Sequence, residues 1–270
     1  MRLSSWLYVS VTTLSMTAFA VEGHSATINK IATDGAPARI EFQHLKSNDA
    51  GDFIGISNMN VFVGNAHEQK MEKIFTADRS DFVLTASTSF NLNNQTYSID
   101  VDILQTRVDL NSRGDFVVAS NTLLWVGNTK TKAIRQVASA GAFAEFQTVQ
   151  INDAGQYVAM AYKKIIAGDV ADEIATELIS EATGNFSIYG LYASNLYATG
   201  EVGETRLALN KNGRFIALTG RAVYHGDIAA KTATVLYQEA AAGFRHVSLK
   251  DDDSFTIVAA KDVYVGNVAP

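Results

Sequence analysis

The sequence predicts an all-β protein built from five similar, four-stranded antiparallel units. Three observations carry that expectation. A turn-and-strand pattern recurs five times. The recurrences fall at multiples of a roughly constant spacing, and the apolar segments between turns are short and rich in Val, Ile, Phe and Tyr.

The copies occupy residues 48–65, 110–128, 151–169, 209–227 and 249–267. Each opens on a turn and enters an apolar strand through an aromatic residue: Phe53, Phe116, Tyr157, Phe215 or Phe255. A short loop and a second strand follow, and each copy ends in Gly-Asn or Gly-Asp. Successive aromatics are 63, 41, 58 and 40 residues apart, so a unit of about 40 residues is lengthened twice by about 20. In the fourth copy, strand A is expected over 205–209, B over 214–218, C over 222–225 and D over 232–238.

Turn chemistry explains the Asn-x-x-Gly between strands A and B. Asn suits the first position of a type I turn, and Gly accepts the left-handed position that closes the hairpin with a bulge. Copies one to four carry it as Gly51, Gly114, Gly155 and Gly213; the fifth has Asp253, which also tolerates that geometry. The Gly-Asn or Gly-Asp after strand C is expected to make the next turn by similar means. Strand D is expected within 71–78, 132–141, 173–184 and 232–243. The stretch 172–182 has helix-favouring Ala, Glu and Leu, but its place in the repeat argues for a strand.

The fifth copy reaches Pro270 without a strand D, whereas residues 26–35 match the strand D rhythm and are followed by a new strand A over 38–45. Pairing the N-terminal strand into the last unit produces a closed ring without exposed sheet edges. The expected fold is a five-bladed β-propeller of four-stranded antiparallel blades, closed in this way. The repeat resembles bacterial secreted tandem repeats with an NxxGxxxF core, and is similar to the WD40-like propeller repeats of TolB-type periplasmic proteins. The residues that carry the resemblance are Asn48/Gly51/Phe53, Asn111/Gly114/Phe116, Asn152/Gly155/Tyr157 and Asn210/Gly213/Phe215. It implies a propeller and no particular activity.

Residues 1–20 read as a signal peptide: a basic Arg2, an uncharged apolar stretch over 6–19, and Ala18-Phe19-Ala20 as the small-x-small cleavage pattern. Residues 21–270 are then a single exported propeller domain, periplasmic or extracellular. The chain is 47% hydrophobic with a formal charge of −6, which opposes nucleic acid or an anionic membrane as partner. It has no cysteine, which removes disulfides, thiol catalysis and Cys-ligated metals.

In such a blade the A–B and C–D turns emerge on one face, and the B–C loops and D-to-A crossovers on the other. Both long insertions, about 83–105 and 187–203, fall on this crossover face. Connections longer than needed often carry function. The second insertion offers Tyr189, Tyr192 and Tyr197, which can stack on a sugar, anchor a protein, or pack onto neighbouring blades. The first alternates through Tyr97, Ile99, Val101 and Ile103, as an added strand pair would. The B–C loops add Lys163, Lys164, Arg221 and Lys261, either an anion-binding cluster or solvated loop tips.

No catalytic residue, metal ligand set or cofactor motif is identified. The histidines lack zinc spacing, no nucleophile elbow or phosphate loop appears, and Asp251-Asp252-Asp253 reads as turn chemistry. His225, standing where other copies have Val or Ala, reads as a packing residue. The expected function is a non-catalytic binding or interaction propeller with a protein or glycan partner. A carbohydrate-active enzyme or lectin on the same scaffold is the alternative; the enzyme would require converging carboxylates on the inner strands.

Overall fold

The computed structural model describes residues 42–57, 60–78, 83–92, 95–104, 106–120, 122–141, 146–161, 164–180, 206–219, 221–239 and 243–268. Five antiparallel sheets follow one another along the chain. The first contains β1 (Phe42–Ser47), β2 (Asp52–Ser57), β3 (Asn60–Asn65) and β4 (Lys70–Thr76), hydrogen-bonded in that order. A two-stranded ribbon of β5 (Val83–Leu92) and β6 (Gln95–Leu104) comes next. The second sheet holds β7 (Arg107–Leu110), β8 (Asp115–Ala119), β9 (Leu123–Asn128) and β10 (Ile134–Ser139). The third holds β11 (Phe146–Ile151), β12 (Gln156–Ala161), β13 (Lys164–Asp169) and β14 (Thr176–Ser180). The fourth is β15 (Leu207–Leu209), β16 (Arg214–Leu218), β17 (Ala222–Asp227) and β18 (Thr232–Gln238). The fifth is three-stranded: β19 (His246–Leu249), β20 (Ser254–Val258) and β21 (Val263–Asn267).

The expected strand parse holds, including the strand at β14, where local composition favours a helix. Tertiary context overrides propensity there, because Ile165↔Ile179 and Ile166↔Glu177 pair β14 into the sheet. The sheets pack as blades. Their first strands neighbour one another in the order β1, β7, β11, β15, β19. Each consecutive pair of blades shares an apolar core: Ile54, Ile56, Val61 and Val63 against Phe116, Val118 and Trp125 is the first of four. Blades packed face to face with their first strands adjacent define a β-propeller type of architecture.

The motif asparagine does more than form its own turn. Asn111 Oδ1 accepts from the backbone of Arg113 and Asp115, while its Nδ2 donates to the Asn152 carbonyl of the next blade at 2.9 Å. The same hook recurs as Asn48 to Asn111 at 2.9 Å, Asn152 to Asn210 at 3.0 Å and Asn210 to Lys250 at 3.2 Å. One carboxamide thus satisfies two blades, and the four hooks run in one direction along the five blades. Gly114 beside it sits at φ 90°, as the bulged turn requires.

The glycine of Gly-Asn has a different role from the turn expected of it. Gly127 lies within β9, directly opposite Phe116 in the register. A Cβ there would lie 2.4 Å from Phe116 Cζ and 2.2 Å from the Ala133 carbonyl oxygen. The aromatic ring therefore covers its own cross-strand glycine. Gly64, Gly168, Gly226 and Gly266 repeat the arrangement. Only the following Asn or Asp makes the turn: Asn128 Oδ1 accepts from Lys130 and Thr131.

The fifth blade departs from the other four. Val61, Val63, Leu124, Val126, Ile165, Ala167 and Val223 are at most 1% exposed, each facing the next blade. Their counterparts Val263 and Val265 are 67% and 78% exposed. The proposed closing segment, residues 26–35, lies outside the described residues.

Replacing Asn111 by Ala strands the buried partners on both blades. It is expected to cost roughly 2–4 kcal/mol, because unsatisfied buried polar groups carry their full desolvation penalty. Ser112→Ala, on the exposed part of the same turn, is the control. Chemical denaturation of both variants measures the difference; equal midpoints would remove the hook from the account.

Candidate functional site

The inner strands and the crossover ends of the blades position every described candidate residue. Counting back four residues from the asparagine slot gives His44, Arg107, Thr148, Arg206 and His246. The register confirms their equivalence: His44↔Ile56, Arg107↔Ala119, Thr148↔Met160 and His246↔Val258 pair in the same way, and the Arg206 carbonyl accepts from Leu218. Four of these five slots hold Arg or His. Arg107 is exposed and the others are half-buried. The signal that they share one level was present in the constant offset from the asparagine.

One level deeper, the inner strands are tied together. Lys46 Nζ lies 3.7 Å from Asp109, whose other carboxylate oxygen accepts from the Ile151 backbone at 3.0 Å. Gln150 bridges to the fourth blade, donating to the Leu207 carbonyl at 2.8 Å and accepting from Leu209 at 2.7 Å. Burial raises the Asp109 carboxyl above its ordinary range, opposed by the Ile151 N–H and by Lys46. Burial, then the Arg107 guanidinium, holds the His44 imidazole below its usual pKa. Among the described residues of the five inner strands, Asp109 is the one acid.

Of the cationic loop residues, Lys164 is committed elsewhere: its Nζ meets Glu177 Oε2 at 2.7 Å, and that contact holds the Glu177 carboxyl low. Arg221 and Lys261 are exposed, and neither forms an ion pair among the described residues. Lys163, Tyr189, Tyr192 and Tyr197 lie outside the described residues, as does the insertion 187–203. His225 is half-buried with Nε2 unpartnered, and burial favours its neutral form, as a packing residue requires.

Two features of this region escaped the sequence reading. At the crossover edge, Tyr237, Phe244 and Tyr264 pack with ring centroids 5.5–6.2 Å apart. Both tyrosine hydroxyls donate to Glu239 Oε2 at 3.0 Å. These residues lie in the outer part of blades four and five, where the repeat is least regular. On the tight-turn face, a cleft of about 380 Å³ opens between the first two blades, lined by Asp52, Glu68, Lys70, Glu72, Lys130 and Lys132. Its three lysines already pair with Asp52, Glu68 and Glu72.

The first insertion is the strand pair its alternation suggested. β5 and β6 pair over ten positions, from Val83↔Leu104 to Leu92↔Gln95. The register sets Tyr97, Ile99, Val101 and Ile103 opposite Phe90, Thr88, Ala86 and Leu84.

The described chain is thus an all-β, propeller-type protein with a two-stranded ribbon between its first two four-stranded sheets. No protein-family model matches it, and no curated protein matches it. Among solved structures it is similar to the β-propeller domain of Cps50 (Swd1) from Myceliophteria thermophila, at 8% identity and a TM-score of 0.48, over 81% of this chain and 62% of that one. It is also similar to YCF48 bound to D1 peptide, at 12% identity and 0.45, over 90% and 69% of the two chains. A third is PorZ, a surface component of the type-IX secretion system of Porphyromonas gingivalis, at 10% and 0.42, over 83% and 25%.

Because the folded-state pKa of Asp109 is raised, its ionisation opposes folding. That contribution favours the fold below the ordinary value of 3.8 and is lost as pH rises through the raised one. Asp109→Asn is expected to match the parent at the acid end of this window, to flatten the decline in denaturation midpoint across it, and to be the more stable of the two at neutral pH. A midpoint-against-pH series decides it; an unchanged slope refutes the assignment.

Proposed function

We propose that this chain is an exported, non-catalytic binding propeller whose partner, a protein or glycan, docks on the crossover face. Residues 1–20 serve as the export signal, and the mature domain acts in the periplasm or outside the cell. The observation that carries the reading is the β5–β6 ribbon, ten paired residues long, which joins no blade's sheet and stands in a connection that a short loop would complete. A two-stranded ribbon is marginal alone and gains stability from something packed on it. Tyr189, Tyr192, Tyr197, Lys163, Lys164, Arg221 and Lys261 belong to the same proposed surface. Exchanging 83–104 for a short Gly-Ser turn is expected to leave the far-UV dichroism of the blades intact and abolish capture of the partner in pull-downs from the native envelope fraction. Undiminished capture by the exchanged protein sinks the proposal.

The ring belongs to the same proposal: five blades, with residues 26–35 pairing beside β21 as the outer strand of the last blade. The support is the mismatch between the apolar character of Val263 and Val265 and their exposure. Closure predicts that the outward-facing β21 amides exchange hydrogen as slowly as those of β17, which has its fourth strand. Fast exchange confined to β21 would mean an open ring.

A further inference from the structure

We propose that the cleft between the second and third blades, on the tight-turn face, binds the carboxylate of a small aliphatic acid, with the Arg135 guanidinium as its anchor. This goes beyond the reading above, which concerns the crossover face.

Arg135 has an incomplete set of bonds. A guanidinium carries five N–H donors. Among the described residues this one makes a single bond, from Nη2 to the Val170 carbonyl of the next blade at 2.6 Å. Its Nη1 is closed off from water and has no hydrogen-bond partner among them. No carboxylate of the described residues lies within ion-pair distance of it. Charged groups shielded from water are ordinarily paired, so an orphaned guanidinium nitrogen calls for an acceptor.

A cleft of about 220 Å³ lies against this side chain, lined from β8 to β10 by Asp115, Val126, Asn128 and Ile134, and from the third blade by Val170. Val126, Ile134 and Val170 offer apolar wall to a short hydrocarbon tail. Asp115, the one carboxylate in the lining, is already engaged. Its Oδ1 accepts from Asn128 Nδ2 at 2.8 Å, and its Oδ2 from Asn111 Nδ2 at 3.1 Å and from the Arg113 guanidinium at 2.8 Å. Asp169 and Asp172, on the turn after β13, accept from backbone N–H groups of that turn. These acids oppose a multiply charged anion, whereas a single carboxylate matches the planar fork of one arginine. One bond holds the fork, so turning it to present two N–H groups to the cleft disrupts little.

The repeat supplies an internal comparison. The register sets Glu72 opposite Val63, Arg135 opposite Val126, Thr176 opposite Ala167 and Thr234 opposite His225, so these four share a slot. Across the junction of blades one and two, Glu72 is answered by Lys132. The threonines carry no charge. Arg135 is the member of the set whose charge has no counterpart among the described residues.

NMR titration of backbone amides with sodium propionate tests the site, with sodium chloride at matched ionic strength and neutral propionamide as parallel titrations. Propionate is expected to shift the amides of residues 126–135 and of Val170, saturating with a Kd of about 1–5 mM, as one forked contact and a short apolar tail allow. Arg135→Gln should weaken binding by about tenfold or more. Lys132→Gln, on the same turn but outside the cleft, should leave it unchanged. If Arg135→Gln fails to fold, Arg135→Lys decides: it keeps the charge, loses the fork and should weaken binding by about threefold or more. Shifts that chloride or propionamide reproduces, no shifts at about 50 mM propionate, or equal losses in the Lys132 and Arg135 variants would each overturn the site. Partner capture through the β5–β6 ribbon is read in a separate assay, so either result leaves that question standing on its own.

Discussion

A side-chain amide that bonds two blades at once is the constraint from which the architecture follows. Asn111 turns its own chain with Oδ1 and holds the following blade with Nδ2. Buried amides carry two donors and two acceptor sites, and satisfying them fully makes such a residue specific to one geometry. The hook also explains why connection length can vary so widely. It sits at the tight-turn end, where the blades must meet at fixed spacing. Aromatic spacings of 41 and 63 residues coexist because the extra chain leaves at the opposite end. Insertion is confined to one face by a bond made on the other.

The second constraint acts within each blade. The ring of Phe116 fills the space that a side chain at residue 127 would occupy, so the aromatic and the glycine are a matched pair rather than two motifs. At Tyr157 the same slot carries a hydroxyl without a hydrogen-bond partner among the described residues, and burial pushes its pKa far up. The position selects for ring shape and tolerates the polar atom, which is consistent with Phe in the other four copies.

Much of this was legible in the sequence. The recurring turn and its apolar runs located the described strands of the five sheets, and the 20-residue excess after the first copy resolved into a ribbon. The hook was not legible, because local turn chemistry already accounts for asparagine at that place and leaves nothing to explain. The glycine of Gly-Asn was misassigned for the same reason: a turn residue follows it directly. The ion pair of Lys164 with Glu177 was not legible either, because it is visible only once β13 and β14 are paired. The level shared by His44, Arg107, Arg206 and His246 was obscured because each reads as one polar residue at the start of a strand.

The irregularities of the fifth blade are best understood as one event. The hooks have a direction, each blade holding the next. Blade five receives one, at the Lys250 carbonyl, and also receives Asn210 and Arg214 on the Asp253 carboxylate. Lys250 stands where the asparagine would be and has no carboxamide with which to hold a sixth blade or the first. With no hook to make, the slot is released from selection for Asn. The neighbouring turn then tolerates Asp253 at φ 66° in place of glycine, its side chain now occupied as an acceptor. The bond used at the four described junctions therefore has no counterpart at Lys250, and the apolar groups left exposed beside it are Val263 and Val265.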